Sequence, residues 1–60
     1  MASLIDWIPA LAAKHGTVEV PMHMLAQRMA GELGISWAKE MPANDIDRIC
    51  AAVDARYAAR

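Results

Sequence analysis

The sequence contains no phenylalanine, and aromatic residues make up only 5% of its 60 residues. A chain of this length buries only about 60% of the surface that its unfolded form exposes. A large share of the 57% hydrophobic content is alanine, which favours helix but contributes little side-chain area to a core. The core must therefore come from few large residues, and we expect a homodimer to supply some of the missing buried area.

Cysteine is also scarce, because Cys50 is the only one in the sequence. A single cysteine excludes an intramolecular disulfide and favours a reducing compartment. The chain does not open with a basic region and a sustained apolar run, and Asp6 and Pro9 interrupt the apolar cluster that it does have there. This pattern argues against a signal peptide and a membrane span, so we expect a cytoplasmic protein.

Basic charge is not in excess, because six Lys and Arg stand against seven Asp and Glu, for a net charge of −1. Nonspecific binding to nucleic acid or to an anionic membrane normally requires a basic surface. The overall charge therefore argues against both kinds of binding, but it does not exclude a local basic patch.

Hydrophobic residues recur at helical spacing along most of the chain, which predicts an all-α fold. We expect a small compact bundle of three to four short helices that forms one domain over residues 1–60. The helices are predicted near residues 6–15, 21–33, 36–41 and 44–58, with one extended linker at 17–20. The predicted core consists of Leu4, Ile5, Trp7, Ile8, Leu11, Met22, Leu25, Met29, Leu33, Ile35, Ile46, Ile49, Val53 and Tyr57.

The start of the first helix has two interpretations. With Asp6 as the N-cap, Pro9 lies in the first turn, where its missing N–H has no intrahelical partner in any case. With Ser3 as the N-cap, Pro9 lies deeper in the helix and should bend it.

The later helices have clearer boundary residues. Gly34 suits the left-handed position that ends the second helix, and Ser36 is a natural N-cap for the short third helix, which Pro42 then ends. Asn44 is a natural N-cap for the last helix, with Asp47 three residues later in an acidic variant of the capping box.

No catalytic or metal-binding constellation stands out. His15 and His23 fall on different predicted helices without a cysteine or carboxylate at ligand spacing, and Cys50 falls on the apolar face of its helix. A chain this short also offers little volume for a water-excluded active site. We therefore expect no metal, no cofactor and no enzymatic activity.

Two apolar residues are candidates for a binding surface. Met24 falls off the apolar stripe of the second helix, and an exposed methionine there is typical of a surface that something covers. Trp37 follows the predicted N-cap Ser36, and it either closes the end of the core or anchors a partner. With the nearby acidic residues, the predicted partner-binding set is Met24, Trp37, Glu40, Asp45 and Asp47.

The stretch MAGELGIS, residues 29–36, resembles the turn region of helix-turn-helix domains. In this resemblance Ala30 is the small residue at the helix crossing, Gly34 the turn glycine, Ile35 the buried residue after it and Ser36 the start of the recognition helix. The resemblance implies a small dimeric DNA-binding regulator that uses residues 29–41. Its candidate nucleic-acid contacts are Arg28, Ser36, Lys39 and Arg48.

The preferred hypothesis is a non-enzymatic protein-binding module, an adaptor or inhibitor that covers a surface of a larger protein. Its size is typical of accessory proteins of bacteria or phages. The DNA-binding regulator is the alternative, because Pro42 shortens the recognition helix and SWAKE offers one basic residue beside an acidic one. Self-association through the alanine-rich last helix is a third interpretation.

Overall fold

The computed structural model describes residues 2–59, which form three helices and a short pair of antiparallel strands. In chain order these are β1 (Ala2–Ser3), α1 (Leu4–Lys14), α2 (Glu19–Leu33), β2 (Glu40–Met41) and α3 (Ala43–Ala58). Both α1 and α3 pack against α2, which is therefore the central helix. The predicted all-α class is confirmed. Residues 1 and 60, the ends of the expected domain, lie outside the described residues.

The predicted helix over residues 36–41 is wrong. Residues 35–39 form no helix, and β2 follows them, pairing with β1 so that Ala2 lies opposite Met41 and Ser3 opposite Glu40. The N–H of Leu4 continues this pairing by donating to the carbonyl of Lys39, at 2.9 Å. The backbone groups that a helix would use internally are thus bonded to the start of the chain.

Helix α1 begins at Leu4, so the interpretation with Ser3 as N-cap is confirmed, and the start near residue 6 with Asp6 as N-cap is wrong. Ser3 occupies the N-cap position, without a side-chain capping hydrogen bond. Pro9 consequently lies inside the helix and leaves the carbonyl of Ile5 without its helical donor.

Helix α2 begins at Glu19, two residues before the predicted start, so only the first half of the expected linker 17–20 is extended. Pro21 lies in the first turn as predicted, where no intrahelical donor is lost. The helix ends in a Schellman motif: Gly34 is left-handed, with φ 72°, and the N–H of Ile35 donates to the carbonyl of Ala30 at 2.9 Å. The turn that the sequence indicated at Gly34 is therefore confirmed.

Helix α3 begins at Ala43, with Pro42 rather than Asn44 at the N-cap position, so the predicted capping box does not form. The carbonyl of Pro42 accepts the N–H groups of Asp45 and Ile46, at 3.1 and 3.2 Å. Pro42 thus starts a helix here instead of ending one, because the segment before it is already a strand.

The core is built from all three helices and the two segments that follow α2. Its predicted aliphatic and methionine stripes are confirmed, except that Ile5 is 74% exposed. Met41, which was expected on the absent helix, is 1% exposed and is one of the largest fully buried side chains. The buried residues are Trp7, Ile8, Leu11, Ala12, Met22, Ala26, Met29, Ala30, Ile35, Met41, Ile46, Ile49 and Val53.

We expect Met41→Ala to remove a large share of the free energy of unfolding. Truncating a buried methionine costs about 2–5 kcal/mol, and a chain of this length has a stability of only about 3–9 kcal/mol at roughly 0.05–0.15 kcal/mol per residue. Urea denaturation followed by circular dichroism at low protein concentration measures the change. The control is Met24→Ala, which truncates the same side chain at a position that is 67% exposed. Equal midpoints for the two variants would contradict the burial of Met41.

Two glycine substitutions should act in opposite directions. Gly34→Ala forces a Cβ into the left-handed region, which costs about 1–2 kcal/mol. Gly31 lies inside α2, and an added Cβ there would meet nothing within 4 Å beyond its chain neighbours and the backbone of its own helix, so Gly31→Ala should stabilise the protein by about 0.5–1 kcal/mol. Thermal denaturation of both variants tests the pair, and a gain from Gly34→Ala would show that α2 ends elsewhere.

Candidate functional site

A groove with a mainly apolar lining lies between the N-terminal halves of α1 and α2, and its volume is about 450 Å³. We call it the α1–α2 groove. Helix α1 and helix α2 supply most of its lining, and Lys39 completes it from the loop before β2. The lining residues are Leu4, Ile5, Ile8, Glu19, Val20, His23, Met24 and Lys39.

Three large apolar side chains of this groove are unusually exposed. Ile5, Val20 and Met24 are 74%, 71% and 67% exposed, respectively. Val20 and Met24 are four residues apart and therefore share one face of α2. Within residues 2–59, the other large hydrophobic residue that is mostly exposed is Val18, at the N-cap of α2. Three of the four large hydrophobic residues that are mostly exposed in the described chain thus line one groove, which is typical of a binding surface.

The polar residues of the groove lining, which we call its rim, carry both signs of charge. Glu19 lies in the first turn of α2, where an acidic side chain interacts favourably with the helix dipole. Lys39 is held near the start of α1, because its carbonyl accepts the N–H of Leu4. His23 also lines the groove. An apolar floor with a polar rim is the usual anatomy of a protein interface.

An aromatic row connects the groove to the core. The ring of Trp37 is edge-on to the rings of His23 and Trp7, with centroid distances of 5.4 and 5.9 Å. Trp37 is half-buried against the core, while Trp7 is buried and its Nε1 has no hydrogen-bond partner among the described residues. His23, which lines the groove, is thus packed against Trp37, which is itself packed against the core.

The predicted partner-binding residues fall in three places. Met24 lines the groove, and Trp37 lies behind His23 in the aromatic row. Glu40 lies on β2 and Asp45 and Asp47 on α3, and none of these three lines the groove.

Sequence reasoning missed Ile5 and Val20 as site residues. The helical spacing predicts Ile5 as a core residue, and the extended linker predicted at 17–20 includes Val20. The signal for Val20 was its spacing of four residues from Met24, which becomes visible once α2 is extended back to Glu19.

The residues of the DNA-binding alternative are not arranged as that alternative requires. Ser36 is exposed in the loop after α2 and does not start a recognition helix. Arg28 forms an ion pair with Glu32 on the same helix, at 3.5 Å, and Lys39 lines the α1–α2 groove. Arg48 is exposed on α3. The turn at Gly34 is present, but the element that would enter a DNA groove is not found in residues 35–41.

A polar cluster joins the end of α1 to α3. The ammonium group of Lys14 donates to Asp54 Oδ2 at 2.8 Å, and His15 Nε2 donates to Asp54 Oδ1 at 2.6 Å. The imidazole of His15 also stacks on the ring of Tyr57, with a centroid distance of 4.1 Å and an angle of 11°. Because α1 and α3 each pack mainly on α2, this cluster is a direct tie between the two outer helices.

The pKa values of two groups on α3, Asp54 and Cys50, are shifted. Hydrogen bonds from Lys14 and His15 hold the pKa of the Asp54 carboxyl below its usual range. Burial, followed by the negative charges of Asp54 and Asp47, raises the pKa of the Cys50 thiol. Cys50 therefore stays protonated at neutral pH and is a poor nucleophile and metal ligand.

A second groove of about 930 Å³ runs between α2 and α3, and we call it the α2–α3 groove. Leu25, Met29 and Tyr57 lie in it but are buried or half-buried, and its exposed part consists mainly of small or charged residues such as Ala55 and Arg56. It lacks the large exposed hydrophobic residues of the α1–α2 groove.

Among residues 2–59, no group of three or more His, Cys, Asp or Glu side chains is placed to hold a metal ion. In that same part of the chain, none of the helices has both the length and the apolar character needed to cross a bilayer. Comparison with protein-family models, with curated proteins and with solved structures found no significant match.

Asp54→Asn should destabilise the protein at neutral pH and leave it unchanged in strong acid. A carboxyl whose pKa is lowered by folding stabilises the fold above its unfolded-state pKa of about 3.9, and that contribution is lost as the pH falls through the lower, folded-state value. Urea denaturation at a series of pH values measures the difference between wild type and variant. Asp47→Asn, an exposed carboxylate on the same helix, is the control. A difference that persists unchanged into strong acid would show that Asp54 acts through packing alone.

Proposed function

We propose that this chain is a non-enzymatic protein-binding module that docks its α1–α2 groove onto a larger protein, as an adaptor or inhibitor. The observation that carries the proposal is the exposure of Ile5, Val20 and Met24 side by side in one groove. A chain with so small a core gains stability from every hydrophobic residue that it buries. Leaving three large hydrophobic residues exposed therefore costs stability unless another molecule covers them.

The shape of the groove favours an amphipathic helix as the partner segment. Two helices form its walls, and a third helix can lay an apolar face between them, with anchor residues one turn apart. Glu19 and Lys39 on the rim favour a segment that carries charges of both signs outside its apolar face. Ile5 and Met24 are the side chains that would contribute most on burial, at about 25 cal/mol per Å².

The remaining parts of the proposal depend on composition and on the polar groups. The raised pKa of Cys50 leaves no activated thiol there, which supports a role without catalysis. A cytoplasmic location and an origin in a bacterium or phage are proposed from the single cysteine and the small size. The DNA-binding alternative stays a prediction, although the recognition helix that it requires at residues 36–41 does not form.

Affinity capture from a nuclease-treated lysate of the source cells tests the proposal with two matched baits. Met24→Gln places a polar side chain in the α1–α2 groove, and Ala55→Gln places the same side chain in the α2–α3 groove. We expect wild type and Ala55→Gln to retain one protein stoichiometrically. Met24→Gln should retain it at least about tenfold less, because central apolar anchors dominate binding energy.

Circular dichroism of the three baits shows whether each is folded before capture. Equal retention of the same proteins by all three would show that the α1–α2 groove is not the docking surface. Retention of a defined DNA segment in an untreated lysate, lost with nuclease or at high salt, would favour the DNA-binding regulator instead.

A further inference from the structure

The α1–α2 groove is complementary to itself in charge. Glu19 and Lys39 line the same groove, and they carry opposite charges. In an isologous dimer, a two-fold axis through the groove brings each residue of one copy against the symmetry-related surface of the other. Glu19 of one copy can then face Lys39 of the second copy, and this contact occurs twice. A rim of one sign would instead repel its own copy.

The lining of the groove also holds both buried and exposed apolar side chains. Ile8 is buried, whereas Ile5 and Met24, which line the same groove, are mostly exposed. Two copies related by a two-fold axis can each pack their exposed side chains against the apolar lining of the other. The low net charge of −1 adds almost no general repulsion between the copies.

The size of the chain supplies a reason for such a contact. A standard protein interface buries about 800 Å² on each partner, which is roughly a fifth of the 3789 Å² surface of this chain. Covering the groove removes from water Ile5, Val20 and Met24, three of the four large apolar side chains that the described chain leaves mostly exposed. A second copy therefore meets the need for buried area that the sparse core creates.

We propose that a second copy of this chain covers the α1–α2 groove when no partner protein is bound, in a two-fold symmetric dimer with Glu19 of each copy facing Lys39 of the other. The inference rests on the proposed function, because it assigns an occupant to the same docking groove. It adds a regulatory consequence: a partner protein must displace the second copy, so the concentration of the chain itself sets how many grooves are open.

Sedimentation velocity of the purified chain, from micromolar to millimolar concentration, tests the proposal with a charge-swap cycle. Wild type should pass from monomer to dimer over this range. Glu19→Lys and Lys39→Glu should each weaken the dimer by about tenfold, because every substitution turns two attractive contacts into repulsive ones. The double variant Glu19→Lys/Lys39→Glu restores opposite charges across the interface and should recover most of the affinity.

Two further variants distinguish the grooves. Met24→Gln should also weaken the dimer, whereas Arg56→Glu, a charge reversal in the α2–α3 groove, should not. Circular dichroism of each variant shows that its helices are intact, which matters for Glu19→Lys at the start of α2. A double variant that stays as weak as the single ones overturns the proposed pairing.

Failure of the dimer is separable from failure of the proposed function. A chain that is monomeric at every concentration overturns the dimer, while the comparison of Met24→Gln and Ala55→Gln in partner capture still tests the groove. If Arg56→Glu breaks the dimer and Met24→Gln does not, the copies associate through the α2–α3 groove. This result also overturns the proposal.

Discussion

The backbone pairing between residues 2–4 and 39–41 is the constraint on which the rest of the structure depends. It replaces the helix expected at 36–41 with an extended segment, and it places Met41 in the core. It also anchors the start of α1, because the N–H of Leu4 donates to the carbonyl of Lys39. The α1–α2 groove takes its positive rim from the same contact, so the pairing shapes both the core and the candidate site.

The three long helices could be predicted from the sequence because their signals are local. Apolar residues at spacings of three and four mark one face of each helix, and Gly34 marks the end of α2 through its left-handed backbone. The segment 36–41 could not be assigned in this way, because its hydrogen-bond partners lie at the other end of the chain. Pro42 is the local signal for this segment, because a proline favours an extended conformation for the residue before it, here Met41. The same preference also fits the end of a helix, which is the interpretation that the sequence alone favours.

The candidate site was predictable in part. Met24 stands out from the sequence because it falls off the stripe of its helix, but the exposure of Ile5 depends on how α1 packs on α2. The contacts of Asp54 with Lys14 and His15 join residues about 40 positions apart, and no local pattern indicates them. Both features arise from tertiary packing, which periodicity alone does not describe.

The antiparallel pair also has a consequence for how the protein folds. Helices α1 and α2, with the turn between them, form through contacts between residues that are near in sequence, but Ala2 meets Met41 only after a loop of nearly two thirds of the chain closes. Closing such a loop costs conformational entropy before the contacts between its ends form, so we expect it to be a late step in folding. A chain in which the two helices have formed and the loop is still open lacks the Lys39 rim and leaves the space for Met41 unfilled. The groove is therefore completed only when folding is complete.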